Sequence, residues 1–564
     1  MADIELLPLG AGQDVGRSCI VVRVNDKYLM LDCGMHLGHK DARRFPDFSL
    51  LSFNGRMTEM ISAVIITHFH LDHCAALPYF TEAWGYQGPV YMTHPTKAIM
   101  PIMLEDFQKI MTGRPGDKLW YSRADIVRCM QKAVGIDLNQ AVEIAPGINL
   151  KALYAGHVLG AAMMHLQVDG TSILYTGDYN TTPDRHLGAA HLERLRPDLL
   201  VSEATYATTL RDSKKSRERG FMGEVVQCIQ RGGKVLIPVF AVGRAQELMI
   251  LVEEAWQRMG LVGKVPIFFS GHMAARANGL YRSMVNWASE AVRSTGARHQ
   301  AFAFDHISAW EPEMASYPGP CVLFATPGML NGGVSLEVFK LWAPDPNNHV
   351  VLPGYQAAGT IGGKLQSGQA QELKIGQATV HVRCKVSYLS FSAHADAKGI
   401  LQLVSAYEPK SVMLVHGDKA GMDFMAGRVH RMFGIPCTFP PNGNWVTVPI
   451  QPSPIPVQVQ LGPQWMPDHW QPPQRLNKKQ QQKDRRQRRQ QQQQIDSGAM
   501  QVDGGDALGP EDLPVPINSI PISGVVVAKR STRGGMAAPP FVLLHSQPMI
   551  ITYERHEGSE EHMS

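Results

Sequence analysis

The residues that most clearly suggest chemistry are in the sequence THFHLDH at positions 67–73. Three imidazoles and one carboxylate follow directly on the apolar run SAVIIT, at His68, His70, Asp72 and His73. Packed on one turn, these nitrogen and oxygen donors can face a single pocket, and in the absence of thiolates they suit a borderline or hard divalent ion, with zinc first. The alternative is a histidine cluster satisfied by ordinary hydrogen bonds. The spacing favours a metal site.

Further donors lie at the ends of three later strand-like runs: His157 in INLKALYAGH, Asp178 in SILYTGD and His416 in SVMLVHGD. Each is a weak signal alone, because a single histidine after a strand is more often structural. Together they complete two ligand sets, in which a carboxylate can bridge two ions about 3.5–4 Å apart that clamp an attacking hydroxide and a substrate oxygen. The first set consists of His68, His70 and His157. The second set consists of Asp72, His73 and His416, and the bridging residue is Asp178.

The apolar runs predict the elements that must position these donors. SCIVVRV and KYLMLDCG, joined at Asn25-Asp26, are typical of a hairpin. After about Thr209, helical stretches alternate with strand-like runs, which indicates parallel βαβ units, and histidine-bearing strand ends then return. We therefore expect an α/β chain in which a middle block is inserted into a first domain. The predicted first domain comprises 1–208 and returns at 376–450, and the inserted block lies between these parts at 209–375. A Pro/Gln-rich basic linker at 451–510 and a small C-terminal region at 511–564 follow.

The order of these motifs resembles the metallo-β-lactamase superfamily. Asp32 in LMLDCG matches its first motif, HFHLDH its second, His157 its third and Asp178 its fourth. The resemblance implies an αββα sandwich. It also implies that Asp32 orients the metal-binding loop through hydrogen bonds rather than binding the metal, the alternative being a turn-forming Asp before Gly34.

Three additional motifs resemble the β-CASP nuclease branch of that superfamily: VSEATY with Glu203, FSAHAD with His394, and VHGD with His416. The middle block then corresponds to an inserted β-CASP α/β domain with a parallel sheet. Phosphodiester cleavage needs a proton for the leaving oxygen, and histidine is suited to donate it. We expect His394 to be the general acid and Glu203 to hold its imidazole, the alternative for Glu203 being a solvated or salt-bridged carboxylate.

Within this branch, PLGAGQDVGRSCIVV and MLDCGMHLGHKDARRFPDFS are most similar to the Integrator endonuclease subfamily. The pre-mRNA cleavage and polyadenylation endonucleases rank second because they differ at ARRFPDFS. The resemblance implies an RNA endonuclease with two zinc ions that acts on single-stranded RNA such as small nuclear RNA 3′ ends and promoter-proximal transcripts. The implied location is the nucleus, with the cytoplasm as a second location. It also implies a noncatalytic β-CASP paralogue and further complex subunits as partners. Alternatives are a noncatalytic nuclear scaffold and a hydrolase of small thioesters or lactams.

Several weaker signals concern ligands other than metals. Arg244 and Lys364 could contact RNA phosphate at an interdomain cleft, although a plain salt bridge or a solvated helix end is as good an explanation for each. Gly10, Gly12 and Gly16 do not form a dinucleotide loop, because a strand rather than a helix follows them, and we expect no nucleotide cofactor.

Composition restricts the class of protein further. The 564 residues carry a net charge of +4, and the basic tract between Arg475 and Arg489 contributes +7, which leaves −3 for the rest. The folded part is therefore not a polycation, and the tract is a nuclear import signal, an RNA-steering arm or a solvated linker. Scattered cysteines, the absence of a signal-like N-terminus and the absence of a run of about 20 apolar residues predict a soluble intracellular protein without a membrane anchor.

Overall fold

The computed structural model describes residues 3–449 except for short gaps, and four strands between 519 and 552; the gaps are at 40, 52–53, 113–119, 241, 271, 295–301, 355, 357–358 and 369–370. The chain divides into two units, Met1–Gln451 and Pro452–Ser564. The predicted linker, with its basic tract, lies outside the described residues. All eight cysteines lie in the first unit as free thiols.

The first part of the chain alternates short strands with helices. Its strands β1 to β11 are Ile4–Gly10, Cys19–Val24, Lys27–Leu31, Ile61–Ile65, Val90–Thr93, Ala133–Ile136, Ala141–Ala145, Ile148–Tyr154, Ala162–Val168, Thr171–Tyr175 and Leu199–Glu203. Its helices α1 to α5 are Met57–Met60, Leu71–Cys74, Leu77–Glu82, His94–Thr112 and Arg123–Gln131.

The middle part is richer in helix. Its helices α6 to α11 are Lys214–Gln230, Arg244–Met259, His272–Ser283, Glu290–Ser294, Gly333–Trp342 and Ile361–Gln366. Its strands β12 to β19 are Val235–Pro238, Ile267–Phe269, Ile307–Ala309, Val322–Ala325, His349–Leu352, Glu372–Ile375, Ala378–His381 and Lys385–Tyr388.

The last part of the first unit contributes helices α12 and α13, Ala397–Tyr407 and Lys419–Phe433, and strands β20 to β22, Ser411–Val415, Cys437–Thr438 and Val446–Val448. Short 3₁₀ helices lie at Ala42–Arg44, Phe48–Leu50, Val285–Trp287 and Pro312–Ser316. The described residues of the second unit form two antiparallel strand pairs, β23 with β26 and β24 with β25, whose strands are Ser519–Ile522, Val526–Ala528, Phe541–Leu543 and Met549–Thr552 in chain order.

Two seven-stranded sheets, in the orders β22-β1-β2-β3-β4-β5-β6 and β21-β20-β11-β10-β9-β8-β7, form a sandwich. Alternating side chains of each strand face in opposite directions, so Leu6 packs between the sheets while Leu7 packs in the second core on the helical side. Helices α3 to α5 cover the first sheet, and α12 and α13 cover the second. This arrangement is the expected αββα sandwich.

The third sheet has the order β14-β13-β15-β12-β16-β19, and all of its pairings are parallel. The predicted α/β class with a parallel middle block is therefore confirmed. The predicted hairpin at Asn25-Asp26 is also confirmed, with β2 and β3 antiparallel. Strand β19 extends the third sheet past residue 375, and the predicted domain boundaries themselves stay a prediction. Among the described helices, none combines the length and apolarity that a bilayer crossing requires.

The sandwich places several strand ends at one edge. Strands β10, β11 and β20 are parallel neighbours. Asp178 therefore follows one strand, Glu203 ends the next, and His416 follows the third. Strands β3 and β4 are parallel as well, which brings the end of β3 beside the turn that follows β4. Carboxyl ends of parallel strands are where such folds gather functional side chains.

Candidate metal centre and active site

The turn that follows β4 is held by backbone hydrogen bonds from two preceding loops. The carbonyls of Leu71, Asp72 and His73 accept hydrogen bonds from the amides of residues 35, 18 and 33, at 3.0, 2.8 and 2.8 Å. Gly34 lies so close that an added Cβ would stand 1.6 Å from the Asp72 carbonyl oxygen. Only glycine permits this approach, so the LDCG text directly supports the geometry of the histidine turn.

One group of donors is formed by His68, His70, His157 and Asp178, whose ligand atoms all lie within 4.8 Å of one another. The Nδ1 atom of His70 lies 3.1 Å from Nε2 of His68 and 3.0 Å from Nε2 of His157. The Oδ2 atom of Asp178 lies 3.6 Å from each of these two Nε2 atoms. Three imidazole nitrogens and a carboxylate oxygen form a donor set that zinc accepts.

A second group is formed by Asp72, His73 and His416. Oδ2 of Asp72 lies 3.3 Å from Nε2 of His416 and 3.9 Å from Nε2 of His73. Asp178 also borders this group, with Oδ2 3.3 Å from Nε2 of His73 and Oδ1 3.4 Å from Nδ1 of His416. The carboxylate of Asp178 is thus shared between the two groups.

Asp178 provides the test of whether these residues suit a cation. It is 2 % exposed, and neither carboxylate oxygen accepts a hydrogen bond from any of the described residues. A buried, unpartnered carboxylate is expensive unless a positive charge accompanies it. The two donor groups on either side of Asp178 therefore fit a pair of divalent ions.

Hydrogen bonds donated by Nδ1 orient three histidines so that their Nε2 atoms face the two donor groups. The hydroxyl of Thr67 donates to Asp32, so it accepts from Nδ1 of His68 at 3.0 Å. Nδ1 of His73 donates to Asp32 at 2.8 Å, and Nδ1 of His157 donates to the Ala393 carbonyl at 2.8 Å. Each contact places the proton on Nδ1 and leaves the Nε2 lone pair for a metal.

The electrostatics agree with neutral imidazole ligands in the first group. Burial, reinforced by the neighbouring imidazoles, lowers the pKa of His68 and of His157 well below the usual value. Burial also lowers the pKa of His70, to about 4. At His73 burial acts in the same direction, but the negative charges of Asp178, Asp32 and Asp72 outweigh it and raise the pKa.

His394 and Glu203 form a separate pair beside the metal groups. Nδ1 of His394 lies 2.7 Å from Oε2 of Glu203, while Oε1 of Glu203 accepts the Tyr179 amide at 2.9 Å. Oε2 of Glu203 also accepts the Thr205 hydroxyl at 2.6 Å. Burial would lower the pKa of His394, but the charges of Glu203 and Asp178 outweigh burial and raise it. The donor atoms of His394, Glu203, His416 and Asp178 also lie within 4.8 Å of one another, so the pair adjoins the shared carboxylate.

A cavity of about 150 Å³ opens on these groups, and Phe240, Met329 and Arg244 of the middle part contribute to its lining. The predicted RNA contact Arg244 is engaged, since Nη1 donates to Asp184 at 3.0 Å. Lys364 is exposed on α11 and does not line this cavity. RNA contacts by Arg244 and Lys364 stay a prediction.

Three residues that support the site through hydrogen bonds were not predicted from the sequence. Thr67 and Tyr175 donate to Asp32, and the Thr205 hydroxyl, which donates to Glu203, accepts from Nδ1 of His416 at 2.9 Å. Thr67 and Thr205 stand inside the motif texts THFHLDH and VSEATY, so their position was the available signal. Tyr175 ends an apolar strand and carries no such signal.

Comparison with known families agrees with the fold and with a metal-dependent hydrolase. Residues 12–219 match the metallo-beta-lactamase superfamily, residues 245–365 match the Beta-Casp domain, and residues 379–440 match the Zn-dependent metallo-hydrolase RNA specificity domain. Fold and site together define a metallo-hydrolase of the metallo-β-lactamase/β-CASP class.

Individual relatives narrow the assignment. The chain is 52% identical to Integrator complex subunit 11 of Danio rerio, covering 82% of this chain and 77% of that protein. It is 49% identical to Cleavage and polyadenylation specificity factor subunit 3-II of Arabidopsis thaliana, covering 79% and 72%. It is 37% identical to Cleavage and polyadenylation specificity factor 73 of Drosophila melanogaster, covering 74% and 60%. The chain belongs to the Integrator complex subunit 11 family.

Proposed function

We propose that this protein is a zinc-dependent RNA endonuclease and the catalytic subunit of an Integrator-like complex. The observation that carries the proposal is the His394–Glu203 pair, 2.7 Å apart, beside a carboxylate that two groups of metal donors share. A hydrolase of small thioesters or lactams has no evident use for such an additional imidazole or for the inserted domain. The match to an RNA specificity domain over 379–440 supports RNA as the substrate class.

Each proposed residue has a defined task. His68, His70 and His157 would hold one zinc ion, Asp72, His73 and His416 would hold the other, and Asp178 is within reach of both groups. When bound, the two ions supply an acidified water and neutralise charge on the scissile phosphate. Asp32 keeps the Nδ1 proton on His73 and so directs its Nε2 atom inward.

Proton delivery falls to His394. Nδ1–H of its imidazolium donates to Glu203, which leaves Nε2–H to protonate the leaving oxygen of the phosphodiester. Burial opposes the protonated form of His394, but the charges of Glu203 and Asp178 outweigh burial and raise its pKa, which favours the imidazolium. Glu203 is held in turn by the Tyr179 amide and the Thr205 hydroxyl, so the pair is oriented before substrate arrives.

The proposed setting follows from the relatives. Integrator complex subunit 11 is by name part of a multisubunit complex. We expect a noncatalytic β-CASP paralogue as partner, together with further subunits, a nuclear location, and small nuclear RNA 3′ ends and promoter-proximal transcripts as substrates. Action on pre-mRNA is the second candidate, favoured by the 49% identity to a protein named as a cleavage and polyadenylation factor.

The general-acid role predicts the behaviour of His394→Ala. Loss of the proton donor should reduce cleavage of single-stranded RNA by about 10²–10⁴-fold. The zinc content should stay at two ions, because His394 belongs to neither ligand set. Cleavage is measured on labelled single-stranded RNA with the full-length zinc-loaded protein, and zinc by elemental analysis. A chelator should abolish cleavage in the unmodified protein.

The matched control is His191→Ala, at an exposed histidine whose Nε2 lies 3.4 Å from Glu193, and it should cleave RNA at the unmodified rate. An unchanged rate in His394→Ala would remove the general-acid role. A purified protein without zinc would favour the noncatalytic scaffold, and faster turnover of thioesters than of RNA would favour a small-molecule hydrolase.

A further inference from the structure

Arg211 lies in the connection between β11 and α6 and reaches the loop that carries His394. Nη1 donates to the carbonyl of Ser392 at 2.5 Å, and Nη2 donates to the carbonyl of His394 itself. The carbonyl between these two belongs to Ala393 and accepts Nδ1–H of His157. Three consecutive carbonyls are therefore held, two by a guanidinium and one by a proposed metal ligand.

Additional contacts join the same two segments. The Arg211 guanidinium lies 5.1 Å from the centre of the Tyr206 ring, and that ring lies 5.9 Å from the His394 ring. The Arg211 amide donates to Asp396 at 3.1 Å, and the Ala397 amide donates to the Thr209 carbonyl at 3.0 Å. The segment around Arg211 is thus hydrogen-bonded to the His394 loop on both sides of His394.

The chemistry of the contact makes it specific to arginine. The planar guanidinium presents donors in a rigid fork, and here two of them bridge carbonyls that lie two residues apart. A lysine ammonium is a single charged point on a flexible stem and can replace one of these bonds but not the fixed pair. The carbonyls of Ser392 and His394 are neutral, so the half-buried guanidinium of Arg211 forms hydrogen bonds with them but no ion pair.

We infer that Arg211 is a positioning residue for the proposed general acid, because it fixes the backbone on both sides of Ala393 so that the His394 imidazole stays on Glu203 and beside Asp178. This inference rests on the proposed function, since it requires His394 to donate the proton. Arg211 does not itself line the cavity, and it contacts none of the proposed metal ligands; the two carbonyls that it holds belong to Ser392 and His394, which do line the cavity. Its effect on cleavage should therefore pass through the His394 loop, and the amount of bound zinc reports any effect on His157 through the Ala393 carbonyl.

Arg217 provides a matched control. It donates from Nη1 to the Ser390 carbonyl at 2.9 Å and lies 5.8 Å from the centre of the Phe391 ring. It therefore contacts the same loop through an arginine, but with one carbonyl and farther from His394. A general loosening of the loop should result from either substitution, whereas misplacement of His394 should result only from loss of Arg211.

The experiment compares Arg211→Ala, Arg211→Lys, Arg217→Ala and His394→Ala as full-length zinc-loaded proteins on two substrates. One substrate is single-stranded RNA, whose leaving oxygen needs a proton. The other is bis(p-nitrophenyl) phosphate, whose leaving nitrophenolate does not. Bound zinc, kcat and KM are measured for each protein, so that a defect in proton delivery separates from a defect in the metal centre.

Arg211→Ala should lower kcat on RNA by about 10–100-fold, a part of the general-acid effect, with KM nearly unchanged. It should keep two zinc ions and hydrolyse bis(p-nitrophenyl) phosphate within about 2-fold of the unmodified rate, as should His394→Ala. Arg211→Lys should be intermediate on RNA, and Arg217→Ala should resemble the unmodified protein on both substrates.

Three results would overturn the inference: an unchanged kcat on RNA in Arg211→Ala, equal losses on both substrates together with lost zinc, or an equal defect in Arg217→Ala. The His394→Ala protein distinguishes a failure of the role of Arg211 from a failure of the proposed general acid. If it loses RNA cleavage while Arg211→Ala does not, only the role of Arg211 fails. If His394→Ala cleaves RNA normally, the proposed general acid fails, and the role of Arg211 fails with it.

Discussion

At the scale of single residues, Asp32 works without belonging to either group of metal donors. Its carboxylate accepts hydrogen bonds from the Thr67 amide, Nδ1 of His73 and the Tyr175 hydroxyl, each at 2.8 Å, and it is fully buried. These contacts fix the histidine turn and the orientation of one imidazole together. Loss of a side chain that orients a ligand in this way typically lowers metal affinity by about 10–100-fold.

Asp32→Asn tests this contribution. The amide keeps the size of the carboxylate but replaces one acceptor oxygen with a donor, so either the Thr67 amide or the pair His73 and Tyr175 loses its acceptor. We expect zinc affinity at the site that includes His73 to fall by about 10–100-fold, as measured by competition with a chromophoric chelator.

The control is Asp169→Asn, which alters an exposed carboxylate that pairs with Lys27 and should leave zinc binding unchanged. Retention of the original affinity in Asp32→Asn would show that Asp32 acts on the fold alone.

At the scale of elements, α7 of the middle part is joined to the segment that follows Asp178. The carboxylate of Glu247 accepts the amides of Arg185 and His186, at 2.8 and 3.2 Å, and Nδ1 of His186 at 2.7 Å. Arg185 extends the connection to Glu218 on α6, at 2.8 Å. These bonds tie the inserted domain to the loop adjoining the metal groups.

Glu247→Gln should weaken this connection in a pH-dependent way. Burial would raise the pKa of Glu247, but its hydrogen bond and charge interaction with His186 outweigh burial and lower it below the ordinary value of 4.5. A lowered folded-state pKa means that the ionised carboxylate stabilises the fold above about pH 4.5, and that this stabilisation is lost as the pH falls through the folded-state value. At pH 7 the variant should lose about 1–3 kcal/mol of unfolding free energy.

Urea unfolding at pH 7 and at several values below pH 4.5 measures the difference, which should shrink as the pH falls. Glu254→Gln, at a carboxylate 57% exposed, serves as the control and should change little at any pH. Equal stability of Glu247→Gln and the unmodified protein at pH 7 would contradict the argument.

At the scale of the whole molecule, the proposed metal ligands come from distant parts of the chain. The turn after β4 supplies four donors, the loops after β8 and β10 supply one each, and the residue that follows β20, near the end of the first unit, is His416. Ions bound by these residues would therefore join both sheets of the sandwich. Since the unfolded chain cannot assemble these donors, metal binding adds directly to the stability of the fold.

Removal of zinc should consequently lower the melting temperature. Free zinc at about a thousand times its dissociation constant stabilises the folded state by about 4 kcal/mol per site. We expect a chelator to lower the melting temperature by several degrees in a thermal shift assay, and added zinc, but not magnesium, to restore it. A double variant, His68→Ala with His70→Ala, should melt lower and respond less to the chelator. An unchanged melting temperature after zinc removal would argue against a metal that bridges the sheets.

Much of this molecule follows from local sequence patterns. HFHLDH and the polar residues at the ends of apolar runs predicted two donor groups that share Asp178, because strand ends of a sandwich converge at one edge whatever the details of packing. The alternation of helices and strands after Thr209 predicted the parallel third sheet in the same way. The glycine of LDCG is likewise local, since its close approach to Asp72 excludes any side chain.

The tertiary structure alone decided what holds the donors. The carbonyl of Ala393 that orients His157, and the carbonyls that Arg211 holds, are backbone groups, which every residue type provides and no pattern distinguishes. Arg244 is tied to Asp184, sixty positions away, by folding rather than by spacing. Sequence determines which chemistry is available at a strand end, whereas long-range packing determines which partner each side chain meets, because that depends on segments that are close only in the folded chain.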